Sequence, residues 1–472
     1  MMWFRADLRA TDNVALYNSC DGGGEVVGLF VITPDEWRQH DYAPVRIELM
    51  LRCLAELSAT LAKLRIPLKI IESPAARETA GLVVEAAKRF GCSAVYWNDE
   101  YEVNESRRDE QVRKIARDHG IATRSFTDQV VLDPRSIKTG EGRYYTVFTP
   151  FKKAWTRMLV ADGGVKVLPV PSKRSSMCCD ADDVPLKVIG FESGISAELW
   201  PAGESHAIKR LERFAAKGMS KYKEERDYPW KPATSVISPY LAVGAISPRQ
   251  CVDVAVKINT SPTPYETGSP DILHWISEVC WREFFVHVLT GFPRVCMNRA
   301  FQMQTERITW NDNAAHLEAW KAGRTGIPIV DAGMRQLLAT GWMHNRIRMV
   351  TAMFLTKNLF IDWREGERFF MRHLVDGFFA SNNGGWQWSA STGTDAAPYF
   401  RIFNPVSQGQ KFDADGEYVR TWVPELRAVT DGAIHELHEM PRLLRSQIDY
   451  PDPIVDLGES REKAIEAFKS LR

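Results

Sequence analysis

The sequence predicts an α/β domain built on a doubly wound parallel sheet, followed by a large all-α domain. Three observations predict it. Short β-branched and apolar runs alternate with amphipathic stretches over about residues 1–130, the pattern of parallel strands joined by crossover helices. Residues 131–200 are loop-rich, with Pro, Ser and Lys clusters that suit an interdomain connection. From 201 to 472 the strand signal disappears and helical periodicity takes over. A chain of 472 residues is also too long for one simple core, so two domains are expected.

In chain order, the strand runs are VVGLFVI at 26–32, PLKIIE at 67–72, SAVYWN at 93–98 and ATRSF at 122–126. Between them lie helical patterns at 44–64, 78–90 and 104–120. DGGGEVVG at 21–28 is glycine-rich but precedes a strand instead of linking strand to helix, so it reads as a turn and not a dinucleotide fingerprint. The stretch PVPSKRSSMCCDADDVPLK marks the connection. Helices follow in HAIKRLERFAAKG, SPRQCVDVAVKI, DILHWISEVCWREFFVHVL, AHLEAWKAG, IPIVDAGMRQLLAT, NRIRMVTAMFLTKNLF and WREGERFFMRHLV, with no internal repeat.

Composition narrows the function classes. Charge is balanced, 60 basic against 60 acidic residues, which excludes a globally basic nucleic-acid coat but leaves room for a local basic patch. The eight cysteines show no CxxC or zinc spacing and read as reduced thiols. None follows Cys296, so an iron–sulfur cluster has no ligands in the C-terminal half. No metal site is expected, because no carboxylate joins two suitably spaced histidines. The N-terminus lacks an apolar signal core and no window of about 18 apolar residues occurs, so a cytoplasmic protein is expected. Tryptophan stands out: of 15 in all, nine lie from Trp275 onward.

Four stretches carry candidate chemistry. SNNGGWQWSASTGTDAAPYFRIFNP at 381–405 places Trp386 and Trp388 two apart, so in a loop or short helix their rings face different neighbours. In DILHWISEVCWREFF, Trp275, Glu278 and Trp281 fall near one helical stripe with Arg282 beside them. A carboxylate there is either neutralised by a cation or turned toward a hydrogen-bonding ligand, since burying it unpaired costs several kcal/mol. In GWMHNRIRMVTAMF, Asn345 and Met349 share a face while Arg346 and Arg348 flank it, which suits either a polar, flat ligand near a phosphate or a solvated basic face. Thr234, Ser235 and Ser238 precede a helix start, as an anion site or as ordinary capping. No GxSxG and no P-loop occurs.

Together WFRADLRATDN, YEVNESRRDE, YYTVFTPFKKAW, ATSVIS, ISEVCWREFF, TGWMHNRIRM, DWREGERFF and NNGGWQWSASTGTDAAPYFRIFNP resemble the photolyase/cryptochrome family nearly end to end. The resemblance is greatest to class I cyclobutane pyrimidine dimer photolyases of the folate-antenna kind. It implies an antenna-binding domain over 1–130, a linker over 131–200 and a helical FAD-binding catalytic domain over 201–472. It also implies light-dependent repair of pyrimidine dimers in DNA, by electron transfer from reduced FAD (FADH−) to a flipped-out dimer. Tyr222, Thr234, Ser235, Val236, Ile237, Ser238, Trp275, Arg348, Asp376, Gly377, Phe378 and Asn382 match the flavin's neighbours, with Asn382 at its N5 and Arg348 and Asp376 an ion pair beside it.

The same resemblance makes Trp281 and Trp388 aromatic walls for the dimer and sets Glu278 on its polar edge, with Asn345 and Met349 opposite. Arg226, Arg282, Arg346, Arg401 and Gln408 are the implied DNA contacts. Trp386, Trp363 and Trp310 match an electron relay that refills oxidised flavin. His40, Asn104 and Glu105 match the antenna site for 5,10-methenyltetrahydrofolate. A monomer is expected, free of metal and membrane and associated with the nucleoid when bound to DNA. The sequence departs from the family pattern at three places: Met297 stands for a Lys, Val236 for an Arg, and Phe378 for the second Asp of an Asp-Gly-Asp. The alternative reading is a cryptochrome-type blue-light photoreceptor on the same fold. A six-four photolyase would carry histidines around 345–349, where Asn345 and Met349 stand. A single-strand-specific DASH-type enzyme is a further alternative. An oxidoreductase unrelated to light would need a nicotinamide site, and none is found.

Overall fold

A computed structural model describes residues 1–471. Five strands, β1 (Met2–Phe4), β2 (Gly28–Ile32), β3 (Leu68–Glu72), β4 (Ala94–Asn98) and β5 (Ala122–Phe126), pair in parallel in the order β3-β2-β1-β4-β5. Between and after them run helices α1 (Val14–Asp21), α2 (Pro34–Gln39), α3 (Pro44–Lys63), α4 (Thr79–Arg89), α5 (Val103–Asp118), α6 (Phe148–Ala161) and α7 (Glu204–Lys217). The rest is helical. It holds α8 (Tyr222–Glu225), α9 (Ser238–Ala242), α10 (Pro248–Ile258), α11 (Pro270–Gly291), α12 (Ala314–Lys321), α13 (Pro328–Thr340) and α14 (Asn345–Met353). Then follow α15 (Trp363–Met371), α16 (Phe379–Ala390), α17 (Pro405–Phe412), α18 (Glu417–Trp422), α19 (Arg442–Arg445) and α20 (Leu457–Lys469).

The chain divides into two compact units. One comprises residues 1–220, 235–296 and 375–378; the other 221–234, 297–374 and 379–471.

In the first unit the sheet is wound on both faces. Trp3, Leu29, Val31, Val95 and Trp97 share a buried layer with Val83, Val84 and Ala87 of α4 and Val112 and Ala116 of α5. Helix α3 packs against β3, while α1 packs against β4 and β5. Strand order reverses between β1 and β4, the place beyond whose carboxyl ends such sheets bind ligands. Arg249 of α10 ties this layer to later sequence: its Nε meets Asp12 Oδ2 at 2.9 Å and its second guanidine nitrogen Asp128 Oδ1 at 2.7 Å. Burial alone would raise the Asp128 pKa, but Arg9 and Arg249 hold it below the ordinary value. Gly244, at φ 69°, lies so near the Ala6 carbonyl that no side chain fits.

The second unit is built around Trp320, Met334, Leu337, Ile347, Phe354, Trp363, Phe370, Trp386 and Tyr418. Asp331 closes the loop ahead of α13 by accepting from the Thr325 amide at 2.8 Å and from the Thr325 hydroxyl at 2.6 Å. Helix α14 runs into a π-helical turn, Phe354–Asn358. Among the described residues no helix is long and apolar enough to cross a membrane.

Candidate active site

In the first unit, Ser235, Val236 and Ile237 lead into α9 and Ser238 opens it. Val236 takes a left-handed conformation, φ 48°, which a β-branched residue adopts only under constraint. The Ser238 hydroxyl donates to Asp376 Oδ2 at 2.6 Å. This hydroxyl bonds to a carboxylate of the chain itself, and the five-residue α9 has no side-chain cap. Trp275 is buried against Phe214, ring centroids 5.9 Å apart. Asp376, Gly377 and Phe378 are buried, and the Arg282 guanidinium lies 4.1 Å from the Phe378 ring centroid. Arg282 also donates to the Gln129 carbonyl. Burial outweighs the pull of Glu283 and brings the Arg282 pKa down to about 10, because no carboxylate among the described residues reaches ion-pair distance of it.

Trp275, Glu278 and Trp281 all lie on α11, and Trp281 has a partner from earlier in the chain. Trp281 is half-buried and stacks on Phe148, centroids 3.7 Å apart and planes 10° from parallel. Phe284 meets the same indole edge-on at 5.6 Å. Phe148 opens α6, inside a stretch otherwise read as linker. Glu278 is half-buried, with Oε1 3.6 Å from Nε2 of His274 one turn earlier, so a histidine and not Arg282 is its neighbour.

The three antenna candidates meet beyond the sheet. His40 Nδ1 lies 3.1 Å from Glu105 Oε1, and its Nε2 lies 3.3 Å from the Asn104 amide. Burial disfavours charge on His40, but the Glu105 hydrogen bond and charge outweigh it and raise its pKa. Glu105 is 5% exposed, and its Oε2 has no protein partner. Burial, reinforced by Glu105 and Glu100, pushes the Glu102 carboxyl up to about 7. Glu36 completes the cluster: one ligand atom each from Glu36, His40 and Glu105 lie within 4.8 Å of one another, the grouping among the described residues that a cation could use. Arg108 balances it, 3.3 Å from Glu36 and 2.7 Å from Glu100.

In the second unit, Tyr222 is buried at the start of α8 beneath Arg226, whose guanidinium lies 5.4 Å from the ring. Thr234 is half-buried. Arg226 and Arg346, both expected at phosphates, share Asp227, at 3.7 Å and 2.7 Å. Arg346 also covers the Phe412 ring at 4.5 Å. Asn345 is exposed, and its amide lies 3.9 Å from the Met349 sulfur, so the pair one turn apart does share a face. His344 caps α14, accepting from the Arg346 amide at 3.2 Å. Half-buried Arg348 donates from Nε to the Met343 carbonyl at 2.8 Å. Arg401 is exposed, while Gln408 on α17 keeps a buried amide oxygen without a partner.

Helix α16 carries the rest. Asn-Asn-Gly-Gly, read from sequence as part of a loop and short helix, lies wholly inside this helix. Glu367 of α15 explains why. Its side chain accepts from Asn383 at 2.9 Å, Gln387 donates to Asn383 Oδ1 at 2.9 Å, and the Phe301 amide donates to Gln387 at 2.8 Å. The Asn382 amide nitrogen donates to the Glu367 carbonyl at 3.0 Å. A carbonyl can only accept, so this bond fixes the amide's orientation and turns Asn382 Oδ1 the other way as an acceptor.

The tryptophans sort by depth. Trp386 is buried and Trp388 half-buried, on different sides of α16. Trp363 is buried, while Trp310 is half-buried at the edge of the same core, 5.0 Å from Phe360. Trp320, which the sequence reading did not single out, meets Trp386 edge-on at 6.0 Å. Phe370 does so at 4.9 Å.

Known proteins share this layout. Residues 1–172 match the family described as DNA photolyase, and residues 275–470 the FAD binding domain of DNA photolyase. The deoxyribodipyrimidine photo-lyase of Escherichia coli is 42% identical over all of this chain and 98% of its own length. A crystal structure of an archaeal photolyase from Sulfolobus tokodaii with two FAD molecules matches with TM-score 0.81 at 30% identity, over 99% of both chains. A Synechocystis cryptochrome matches with TM-score 0.87 at 26% identity, over 99% of this chain and 98% of its own.

Proposed function

This chain belongs to the photolyase/cryptochrome family, and from that premise we propose that it is a light-driven deoxyribodipyrimidine photo-lyase, repairing cyclobutane pyrimidine dimers in DNA. FAD is its cofactor. Bound and reduced, it supplies the light-excited electron that lets the two linking bonds of the dimer break, and it takes that electron back.

The observation that carries the site reading is Asn382. Its amide nitrogen is tied to the Glu367 carbonyl. The oxygen left over is an acceptor suited to a ring N–H, which a reduced flavin offers at N5. The Ser238–Asp376 pair and the left-handed turn at Val236 give the cofactor a fixed polar edge, with Thr234, Ser235, Ile237, Tyr222, Trp275, Arg348, Gly377 and Phe378 as its other neighbours. Residues 201–472 supply this flavin domain.

For the substrate, Trp281 is held rigid by Phe148 and Phe284, so a base stacking on it costs little ordering of the protein. Trp388 is the second aromatic wall for the dimer, Glu278 accepts from the pyrimidine edge, and Asn345 and Met349 are further dimer contacts. Arg226 and Arg346, held in place by Asp227, contact phosphates together with Arg401 and Gln408. Trp386, Trp363 and Trp310 pass electrons inward, from a half-buried indole to buried ones. Residues 1–130 carry a folate antenna at His40, Asn104 and Glu105. The unpartnered Glu105 oxygen suits a ring that donates hydrogen bonds, as a pterin does. The protein works as a cytoplasmic monomer without a metal.

Blue-light splitting of a defined thymine dimer by the reduced protein, with a dark control, tests the reading. Product in light and none in the dark is expected. Flavin photochemistry without product would point to the photoreceptor function of a cryptochrome.

A further inference from the structure

Lys357 is a fully buried lysine that the repair mechanism does not use. It sits in the π-helical turn after α14, an irregularity common at functional sites. Its ammonium donates to the Ala390 carbonyl at 3.0 Å and to the Ser391 hydroxyl at 2.9 Å, at the end of the helix that carries Trp386. It also lies 3.7 Å from the Phe468 ring centroid. Trp310 meets that same ring edge-on, centroids 6.4 Å apart, so the ammonium and the outermost indole of the relay share one phenyl ring as a neighbour.

No carboxylate among the described residues pairs with Lys357. The charged groups on the elements packed against it are Arg346 and Arg348 of α14, Arg364, Glu365, Glu367 and Arg368 of α15, and Glu459, Arg461, Glu462, Lys463, Glu466 and Lys469 of α20; α16 has none. Glu367 is committed to Asn383, Glu365 to Arg368 and Glu459 to Lys463. Burial alone therefore brings the Lys357 pKa down to about 7.

We propose that Lys357 gates the tryptophan relay: its ammonium disfavours an electron hole on Trp310, and loss of its proton lets the hole settle there. The inference rests on the relay reading of Trp310, Trp363 and Trp386. In photoreduction one electron leaves Trp386 for the cofactor, Trp363 refills Trp386, and Trp310 refills Trp363. The hole on Trp310 is finally filled by one electron from an external thiol, which is oxidised toward disulfide. A buried positive charge that shares the Phe468 ring with Trp310 repels that hole, and return of the electron to Trp310 from the cofactor side becomes more competitive.

The test is photoreduction of the FAD-loaded protein with dithiothreitol from pH 6 to 9, with the tryptophanyl radical lifetime read by transient absorption. In the wild type both should rise several-fold with a midpoint near pH 7. Lys357→Met should give high, pH-independent values, and Lys357→Arg low values throughout, because arginine keeps its charge. A flat wild-type profile, or a step that persists in Lys357→Met, overturns the proposal. Should the methionine variant not fold, the wild-type and arginine profiles decide. Trp386→Phe separates the two layers: if it still photoreduces fully, the relay itself is wrong and this inference falls with it. If it is inactive while the wild-type profile is flat, Lys357 alone is misassigned.

Discussion

At the scale of the residue, Phe378 and Arg282 show what one departure from a family pattern does. By the resemblance a carboxylate is expected where this ring stands, and the Arg282 guanidinium lies 4.1 Å from the ring centroid. Burial has brought the Arg282 pKa down to about 10, so the guanidinium stays charged at neutral pH but is less favoured there than in water. In the proposed flavin site, Phe378→Asp should create an ion pair, return Arg282 toward its ordinary range and remove net positive charge near the flavin. Less positive charge disfavours the extra electron, so the flavin potential should become more negative, by ~1 kcal/mol per electron for a partly screened charge. Spectroelectrochemical titration of the loaded variant reads this directly, and an unchanged potential would place Phe378 away from the flavin. The departure was legible in the sequence. Its consequence was not, because nothing in WREFF says that Arg282 turns toward residue 378.

At the scale of the element, α16 is the instructive case. Asn, Gly and Ser are poor helix formers, and the run NNGG reads as loop on propensity. Tertiary hydrogen bonds from Glu367 through Asn383 to Gln387 override that propensity, and no local pattern announces them. Gly366, one turn after Trp363 on α15, makes room for the indole: a β-carbon there would overlap the Trp386 ring and crowd Leu355. Gly366→Val should therefore cost ~2 kcal/mol or more through overpacking and displace Trp386. Urea unfolding gives the first and near-ultraviolet circular dichroism the second; a variant as stable as wild type with an unchanged aromatic spectrum would contradict the packing described. The regular helices were easier to read. PVRIELMLRCLAELSATLAKL and NESRRDEQVRKIARDHG form α3 and α5 with ends within two residues of the pattern, since their apolar period is unbroken. The three-residue β1 is too short to show a period, and α6 is hidden by the turn-rich sequence around it.

At the scale of the molecule, acid should unsettle both units, because each buries a neutral histidine. His287 in one accepts from the Tyr145 amide at 3.0 Å, and His344 in the other accepts from Arg346; burial brings each pKa down to about 4. The sign follows from the lowered value. Above the unfolded pKa of about 6.5 both states are neutral and the contribution is fully present. As pH falls toward 4 the unfolded chain takes up the proton first, and each histidine forfeits up to ~3 kcal/mol. Asp7 and Asp413 are raised to about 6 and act oppositely, adding stability as pH falls through that range. The wild-type curve is therefore shallow, and one variant measured against it isolates one histidine. His344→Asn keeps a good helix cap while removing the titration. Between pH 6.5 and 4.5 its unfolding free energy should fall by ~2 kcal/mol less than that of the wild type. Parallel curves would mean that His344 is reached by water and charges freely in the fold.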